Sequence, residues 1–180
     1  MGDFMRKNLV VWQVAGITFT AVLGTLLHFL YEWTNLSFLA PFSAVNESTW
    51  EHMKLVFVPS FMFALFQSFF AKSDYECFWF IKLIGLVVGT LLIPILFYTL
   101  GGSFGEPSAI INIGIFFMSI IIEYLFELNL FNNYKCKRKL NEVSISLLFI
   151  ILLLFIVFSI YPPKIPLFLD PVTKGYGIIK

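Results

Sequence analysis

Two short polar segments carry the side chains that could do chemistry in this chain. His28 and Glu32 lie one helical turn apart, so the carboxylate could orient the imidazole, or both groups could hold a metal ion. Residues 46–52 read Asn-Glu-Ser-Thr-Trp-Glu-His and bring three ionisable side chains into six positions. Because 59% of the chain is hydrophobic and only 13% is charged, this concentration of ionisable groups indicates a water-facing or functional site.

The segment 46–52 also contains the start signal of a helix. Ser48 is followed three residues later by Glu51, the spacing of a capping box, in which the glutamate reaches back to the cap residue. This explains Ser48 and Glu51 and leaves Asn46, Glu47, His52 and Lys54 without a structural role. His52 is therefore a candidate for a ligand site, with Glu47 approaching from the loop. The alternative is a helix start that is stabilised by its cap alone.

The C-terminal segment, residues 162–180, is too polar and too rich in proline to form a spanning helix. We expect an ordered lid that delivers Asp170 and Tyr176 to the polar segments; the alternative is a frayed terminus. The candidate binding site then comprises His28, Glu32, Asn46, Glu47, His52, Asp170 and Tyr176. Four of these residues could be ligands of a divalent metal, namely His28, His52, Glu32 and Asp170.

Glu123 is the ionisable residue placed most deeply in an apolar segment. Asn112 and Ser119 share its helix face, because the three residues are separated by seven and four positions. An ionisable side chain at such depth costs on the order of 3 kcal/mol unless it faces a partner or a water-filled cavity, so this face predicts an intramembrane polar path. Lys82 and Glu127 lie nearer the opposite boundary, where we expect their side chains to reach the headgroups.

The elements that must position these residues are membrane-spanning helices. A mean hydropathy of +0.88 and 23 phenylalanines in 180 residues indicate a chain whose solvent is lipid. We predict five spans, at about 9–31, 49–71, 77–100, 109–131 and 143–161, followed by the tail 162–180. The predicted fold is an all-α membrane protein: a single integral domain of five transmembrane helices with an outer re-entrant or interfacial loop and an ordered C-terminal tail. The net charge of only +1 gives no argument for nucleic acid.

Orientation follows from the positions of the basic residues. Arg6 and Lys7 precede the first span, and residues 135–139 between the fourth and fifth spans contain three lysines and an arginine. By the positive-inside bias, the N-terminus is cytoplasmic and the C-terminus lies outside. Cys77 and Cys136 then both lie on the reducing side, and no disulfide is expected.

Small residues predict which helix faces make contacts. In the first span a stripe of small and polar residues recurs at intervals of three and four, so we expect this face to point into the bundle. Its members are Thr18, Ala21, Thr25, His28 and Glu32. In the third span Gly85 and Gly89 form a close-contact face, which could also hold a second copy of the chain or a larger membrane partner.

Three segments together resemble a known family. His28–Trp33, Val45–Leu55 and the closing Pro166–Asp170 with Tyr176-Gly177 look like an uncharacterised family of small bacterial multi-pass membrane proteins, a domain of unknown function. The resemblance covers essentially the whole chain. It implies a bacterial inner-membrane location and no particular activity.

Three function classes fit these residues. The first is a membrane protein that handles a small solute or ion, with Glu123 on the path and the outer polar cluster as its mouth. The second is a metal-assisted enzyme acting at the outer leaflet, in which a bound divalent metal activates water. The third is an accessory or assembly subunit whose polar residues are structural.

Overall fold

The computed structural model describes residues 2–71, 75, 77–104, 108–134 and 138–178. Five helices make up this described part: α1 (Gly2–Thr34), α2 (Thr49–Ala71), α3 (Phe78–Phe104), α4 (Ala109–Asn133) and α5 (Arg138–Ile160). All five are long and apolar enough to cross a membrane. No β-strand occurs among the described residues, and short 3₁₀ turns lie at Ser37–Leu39 and Pro166–Phe168. The described part of the chain is thus all-helical, and its five apolar helices fit an integral membrane protein.

Helix α2 lies at the centre of the bundle. It contacts each of the other four helices and is the most buried of the five candidate spans, whereas α5 is the least buried. α2 continues through Pro59 and α3 through Pro94. Proline is tolerated inside spanning helices because neighbouring groups satisfy the backbone that it frees. Because α2 is central, the residues of its first turn lie close to the neighbouring helices.

The buried face of α1 is not the stripe that the sequence predicted. Thr18, Thr25 and Glu32 are exposed, and both threonine hydroxyls donate to carbonyls of their own helix, four residues back. A threonine satisfied in this way needs no partner across a helix contact. The buried residues of α1 form the neighbouring face instead, and they are Leu9, Gln13, Gly16, Thr20, Gly24 and Leu27. His28 lies at the edge of that face.

Gly85 and Gly89 of α3 lie directly against α4. A Cβ atom on Gly85 would meet the side chain of Glu127, and one on Gly89 would meet that of Glu123. The face expected to hold a second copy or a larger partner is therefore occupied within the chain.

Lys82 and Glu127 do not reach the headgroups as expected. Lys82 Nζ lies 2.6 Å from Glu127 Oε2, and the two side chains are 1% and 0% exposed. The rings of Phe63, Phe78 and Tyr124 surround the ammonium group at 5.3–5.9 Å from their centroids. A counter-ion and aromatic faces inside the bundle replace the headgroup water that each side chain would otherwise need.

The C-terminal segment contacts the end of the bundle where α1 ends and α2 begins, named here the tail end. Phe168 is buried, and its ring centroid lies 4.7 Å from that of Trp50 in the first turn of α2. Leu169 and Tyr176 form an isolated antiparallel bridge. Asn46 Nδ2 donates to the Gly177 carbonyl at 2.8 Å.

Cys77, just before α3, is disulfide-bonded, so the expectation of reduced thiols is wrong. The basic residues assign a compartment, but they do not show whether two cysteines lie close enough to bond. The other cysteine of the chain, Cys136, lies outside the described residues. Disulfides persist in oxidising compartments, whereas the basic residues assign this end of the bundle to the cytosol. The two indications of orientation therefore disagree.

Candidate metal site at the tail end

His28, Glu47 and His52 come together at the tail end, from the last turns of α1, the following loop and the first turn of α2. One potential ligand atom from each residue lies within 4.8 Å of those of the others. Glu47 is placed between the two rings: Oε1 lies 3.8 Å from His28 Nε2, and Oε2 lies 3.6 Å from His52 Nε2. The ring centroids of the histidines are 5.4 Å apart. These three residues are named here the His–Glu–His site.

His52 is oriented toward this site by its own helix. Its Nδ1 lies 2.9 Å from the Ser48 carbonyl oxygen. A carbonyl oxygen only accepts, so Nδ1 is the donor in this bond and Nε2 is the nitrogen that faces Glu47. This backbone contact on the far nitrogen is the arrangement usual for metal-binding histidines. His28 differs, because its Nδ1 is buried with no hydrogen-bond partner among the described residues.

Hydrogen bonds on both sides of Glu47 hold its loop in place. Ser43 Oγ donates to the Leu27 carbonyl at 2.6 Å and accepts from the Tyr31 N–H at 2.9 Å, which ties the loop to α1. Asn46 Oδ1 accepts from the Ser48 N–H at 2.9 Å. Glu47 therefore lies on a clamped segment although its side chain is 49% exposed.

The capping box forms only in part. Ser48 Oγ accepts the Glu51 N–H at 3.4 Å, as predicted. The Glu51 carboxylate does not return to Ser48. It accepts from the Val45 N–H at 3.2 Å and forms a buried ion pair with Lys54 at 2.6 Å.

Ser159 at the end of α5 completes this buried pair. Its hydroxyl donates to Glu51 Oε1 at 2.6 Å and accepts from Lys54 Nζ at 2.8 Å. Lys54 also donates to the Ala40 carbonyl at 2.9 Å. The network thus joins α2, α5 and the loop next to the His–Glu–His site.

The other candidate binding residues have separate positions. Glu32 is exposed on the last turn of α1 and is not part of the three-residue group. Asp170 closes its own turn, because its carboxylate accepts from the Val172 N–H at 2.9 Å and from the Thr173 hydroxyl at 2.6 Å. Tyr176 is half-buried in the bridge to Leu169. The structure therefore brings the two histidines to Glu47 and not to Glu32 or Asp170.

A cavity of about 370 Å³ adjoins the site between α1, α2 and α4. Most of its wall is apolar and aromatic, and it is lined by Phe29, Leu55, Ile113, Phe116 and Phe117 besides His28, Glu47 and His52. The Oδ1 atom of Asn112, which also lines it, is buried and has no partner among the described residues. The polar residues around this mostly apolar cavity are thus Thr25, Asn112 and the three residues of the His–Glu–His site.

The floor and the side of this cavity differ. Below it, Gly24 lies so close to the Leu55 carbonyl and the Phe116 ring that a Cβ atom would approach them to 2.6 and 2.8 Å. Three helices therefore pack closely at this part of the cavity wall. At the side, Phe29 and Ile113 are 38% and 57% exposed on the lipid-facing surface. The cavity therefore meets lipid between α1 and α4.

Ser119 and Glu123 lie deeper in the bundle than Asn112, and both are fully buried. Eleven residues separate Asn112 from Glu123, which places Glu123 about 16 Å farther along the helix. The apolar side chains of Ile115, Phe116 and Ile120, all buried, lie between these levels. The predicted polar path is thus divided into an upper residue at the cavity and a lower pair in the core.

Comparison with known proteins gives the family but no activity. The family of unknown function DUF6512 matches residues 3–178, so the chain belongs to that family. No curated protein and no solved structure matches the chain.

Proposed function

We propose that this membrane protein of the DUF6512 family binds a divalent transition metal, of the zinc class, through His28, Glu47 and His52, and that the metal activates water against an amphiphilic substrate in the adjoining cavity. The observation that carries the proposal is the convergence of two imidazoles and one carboxylate at a membrane boundary. Two histidines and one glutamate are a known ligand set of catalytic zinc sites.

The separations between the ligand atoms suit such a metal. Ligands at about 2.0–2.1 Å from a tetrahedral zinc ion lie roughly 3.4 Å from one another. The Glu47–histidine separations, 3.6 and 3.8 Å, exceed that value only slightly, and each is to a different carboxylate oxygen. With one ligand atom taken from each residue, the three lie within 4.8 Å of one another, so binding would draw the side chains closer together.

Three protein ligands leave a fourth position for water. The side chains of His28 and His52 are 25% and 23% exposed and that of Glu47 is 49% exposed, so water reaches the site. A zinc-class metal lowers the pKa of its bound water to about 7, which supplies hydroxide at neutral pH. In the proposed hydrolysis, the water oxygen would bond to a carbonyl or phosphoryl centre and the bond from that centre to the leaving group would break. One proton of the water would go to the leaving group, and the other would stay with the acid product.

The cavity supports an amphiphile as the substrate. Phe116, Phe117 and Ile113 would contact an apolar chain that enters sideways from lipid, while Asn112 accepts a hydrogen bond from its polar group. The reacting bond would then lie beside Glu47, at the boundary between the apolar wall and water. We further propose that the tail acts as a lid, since Pro171 and Val172 line an adjacent cavity together with Glu47 and His52.

This function agrees better with the geometry than the two other classes do. An ion path from the His–Glu–His site into the bundle would have to pass the tight packing of Gly24 against Leu55 and Phe116. An accessory subunit loses the Gly85 and Gly89 face as its docking surface. Handling of a small ion remains a second candidate only for the lower part of the bundle, where Glu123 is buried.

For location we propose a bacterial inner membrane with a cytoplasmic N-terminus, which puts the tail end outside. The resemblance and the basic residues support this orientation. The Cys77 disulfide supports the opposite one, and its presence or absence in cells distinguishes the two.

The metal is tested by titration of Co²⁺ into chelator-treated protein in detergent, followed by visible absorption, with elemental analysis of the protein as purified. We expect one equivalent of bound metal and the absorption of a four-coordinate Co²⁺ site. His28→Ala, Glu47→Gln and His52→Ala should each remove both signals. Glu32→Gln is the matched control, because Glu32 is an exposed carboxylate one turn from His28 and should leave both signals unchanged.

Two results would contradict the proposal. If wild-type protein binds no Co²⁺ or Zn²⁺, the site holds no metal of this class. If Glu32→Gln abolishes binding and Glu47→Gln does not, the carboxylate ligand is a different one. Hydrolysis is tested separately with short- and long-chain ester amphiphiles. We expect the metal-loaded protein to prefer the long chain, and equal rates would contradict the role of the cavity.

A further inference from the structure

Glu123 is a completely buried carboxylate that has no ion-pair partner of its own among the described residues. Its side chain lies in the middle of α4 with 0% exposure, and the polar group closest to donating to it is the Ser60 hydroxyl, at less than ideal hydrogen-bond geometry. Buried charges in membrane proteins are normally paired with each other or with polar groups. Glu123 therefore needs a ligand that these contacts do not supply.

The nearby lysine is already engaged. Lys82 Nζ contacts Glu127 Oε2 at 2.6 Å, and its other neighbours are aromatic rings. Glu127 lies one turn from Glu123 on the same helix, so the core at this level contains two carboxylates and one ammonium group. If both carboxylates were ionised, one negative charge would have no counter-charge. The missing group is thus a single positive charge.

The packing around Glu123 leaves little room for a metal cation. The backbone of Gly89 on α3 lies directly against the carboxylate, so that even a Cβ atom there would collide with it. On the neighbouring faces Tyr124, Thr20 and Ser60 bond to one another: the Tyr124 hydroxyl is 2.8 Å from Thr20 Oγ1, which is 3.3 Å from Ser60 Oγ. A proton is the one cation that needs no space of its own.

We infer that Glu123 is a reversible proton-binding site in the membrane core, set against the buried Lys82–Glu127 ion pair. The groups that face it and carry or change charge are Glu127, Lys82 and Tyr124. The site is separate from the His–Glu–His site, because Glu123 lies about 16 Å along α4 from Asn112, which lines the cavity beside that site. It does not depend on the proposed metal.

The experiment uses the full-length protein in detergent and dicyclohexylcarbodiimide, a hydrophobic reagent that modifies carboxyl groups that carry a proton in apolar surroundings. Mass spectrometry should locate the adduct on Glu123, and Glu123→Gln should abolish it. The infrared spectrum provides a measurement that needs no access by a reagent. It should contain a carboxylic acid C=O band that Glu123→Gln removes.

Glu127→Gln separates a proton site from a merely structural glutamate. This variant frees Lys82, which can then supply the positive charge to Glu123, so the adduct and the infrared band should both weaken. Identical infrared spectra for wild-type protein and Glu123→Gln would overturn the inference. Protection of Glu123 from the reagent by NaCl, but not by choline chloride, would also overturn it, because Na⁺ would then be the ligand.

Discussion

Substitution of Lys82 by methionine tests whether the α3–α4 contact is built as described. Lys82→Met roughly keeps the length of the side chain but removes the positive charge that lies against Glu127, and both side chains are at most 1% exposed. Removing one partner of a buried ion pair costs about 3–5 kcal/mol, because the other charge stays buried and unpaired. At about 1.4 kcal/mol per factor of ten, the folded-to-unfolded ratio should fall roughly 150- to 5,000-fold.

The assay is unfolding by increasing sodium dodecyl sulfate in mixed micelles, followed by far-ultraviolet circular dichroism. The double variant Lys82→Met/Glu127→Leu should recover most of the lost stability, because an apolar pair of similar volume replaces the ion pair. Lys164→Met, which removes an exposed lysine in the tail, is the matched control and should change stability by less than about 0.5 kcal/mol. A Lys82→Met variant as stable as this control would refute the buried pair and restore a side chain that reaches the headgroups.

Two further predictions concern the tail and the disulfide. Asn46→Ala removes the hydrogen bond to the Gly177 carbonyl, so limited proteolysis should cut the tail faster. Because Asn46 also supports the loop that carries Glu47, Co²⁺ binding should weaken about 10- to 100-fold. An unchanged protease pattern would show that the bond does not hold the tail. Because Cys77 is disulfide-bonded, a maleimide should label it in intact cells only after reduction, and labelling without a reductant would support the cytoplasmic assignment of that end.

The helices follow from the sequence because hydropathy alone determines them. A backbone in hydrocarbon must satisfy its N–H and C=O groups internally, so each long apolar run becomes a helix whatever its neighbours are. All five helices are strongly apolar, and their mean hydropathy ranges from 1.5 to 3.1. The face that each helix buries is different, since it depends on the partner. On α1 the glycines at 16 and 24 allow the close contacts, and the stripe through Thr18 and Thr25 remains outside.

The two histidines of the site follow from the sequence, but the arrangement of the carboxylates does not. Spacing along one helix suggests Glu32 as the partner of His28, because residues four apart share a face. In the structure the carboxylate between the rings is Glu47 instead. Ser43 ties the loop to α1, and the loop places Glu47 between the two imidazoles. Asp170 forms hydrogen bonds with its own turn instead. Contacts across a loop of this length depend on many weak bonds, which no local pattern specifies.

The partners of the two buried lysines are also difficult to predict from the sequence. Lys54 and Lys82 lie near the ends of helices, where a long side chain ordinarily reaches water. Each instead meets a glutamate at 2.6 Å: Lys54 three residues back along its own helix and Lys82 across to α4. Only the first of these pairs is visible as a spacing in the sequence. The second requires the α3–α4 contact that Gly85 and Gly89 permit.

The pairing of acidic groups differs between the tail end and the core of the bundle, and this difference predicts different ligands. At the tail end, Glu51 has Lys54 and Ser159, whereas Glu47 is half-exposed and flanked by two imidazoles. Water and a dipositive ion can both reach such a carboxylate. In the core, Glu123 has no ion-pair partner of its own among the described residues, is fully buried and touches the Gly89 backbone. Because only the first of these two sites is open, a glutamate should bind a metal at the tail end and a proton in the core. Glu47→Gln should abolish metal binding without changing Glu123, and Glu123→Gln should abolish proton binding without changing the metal site.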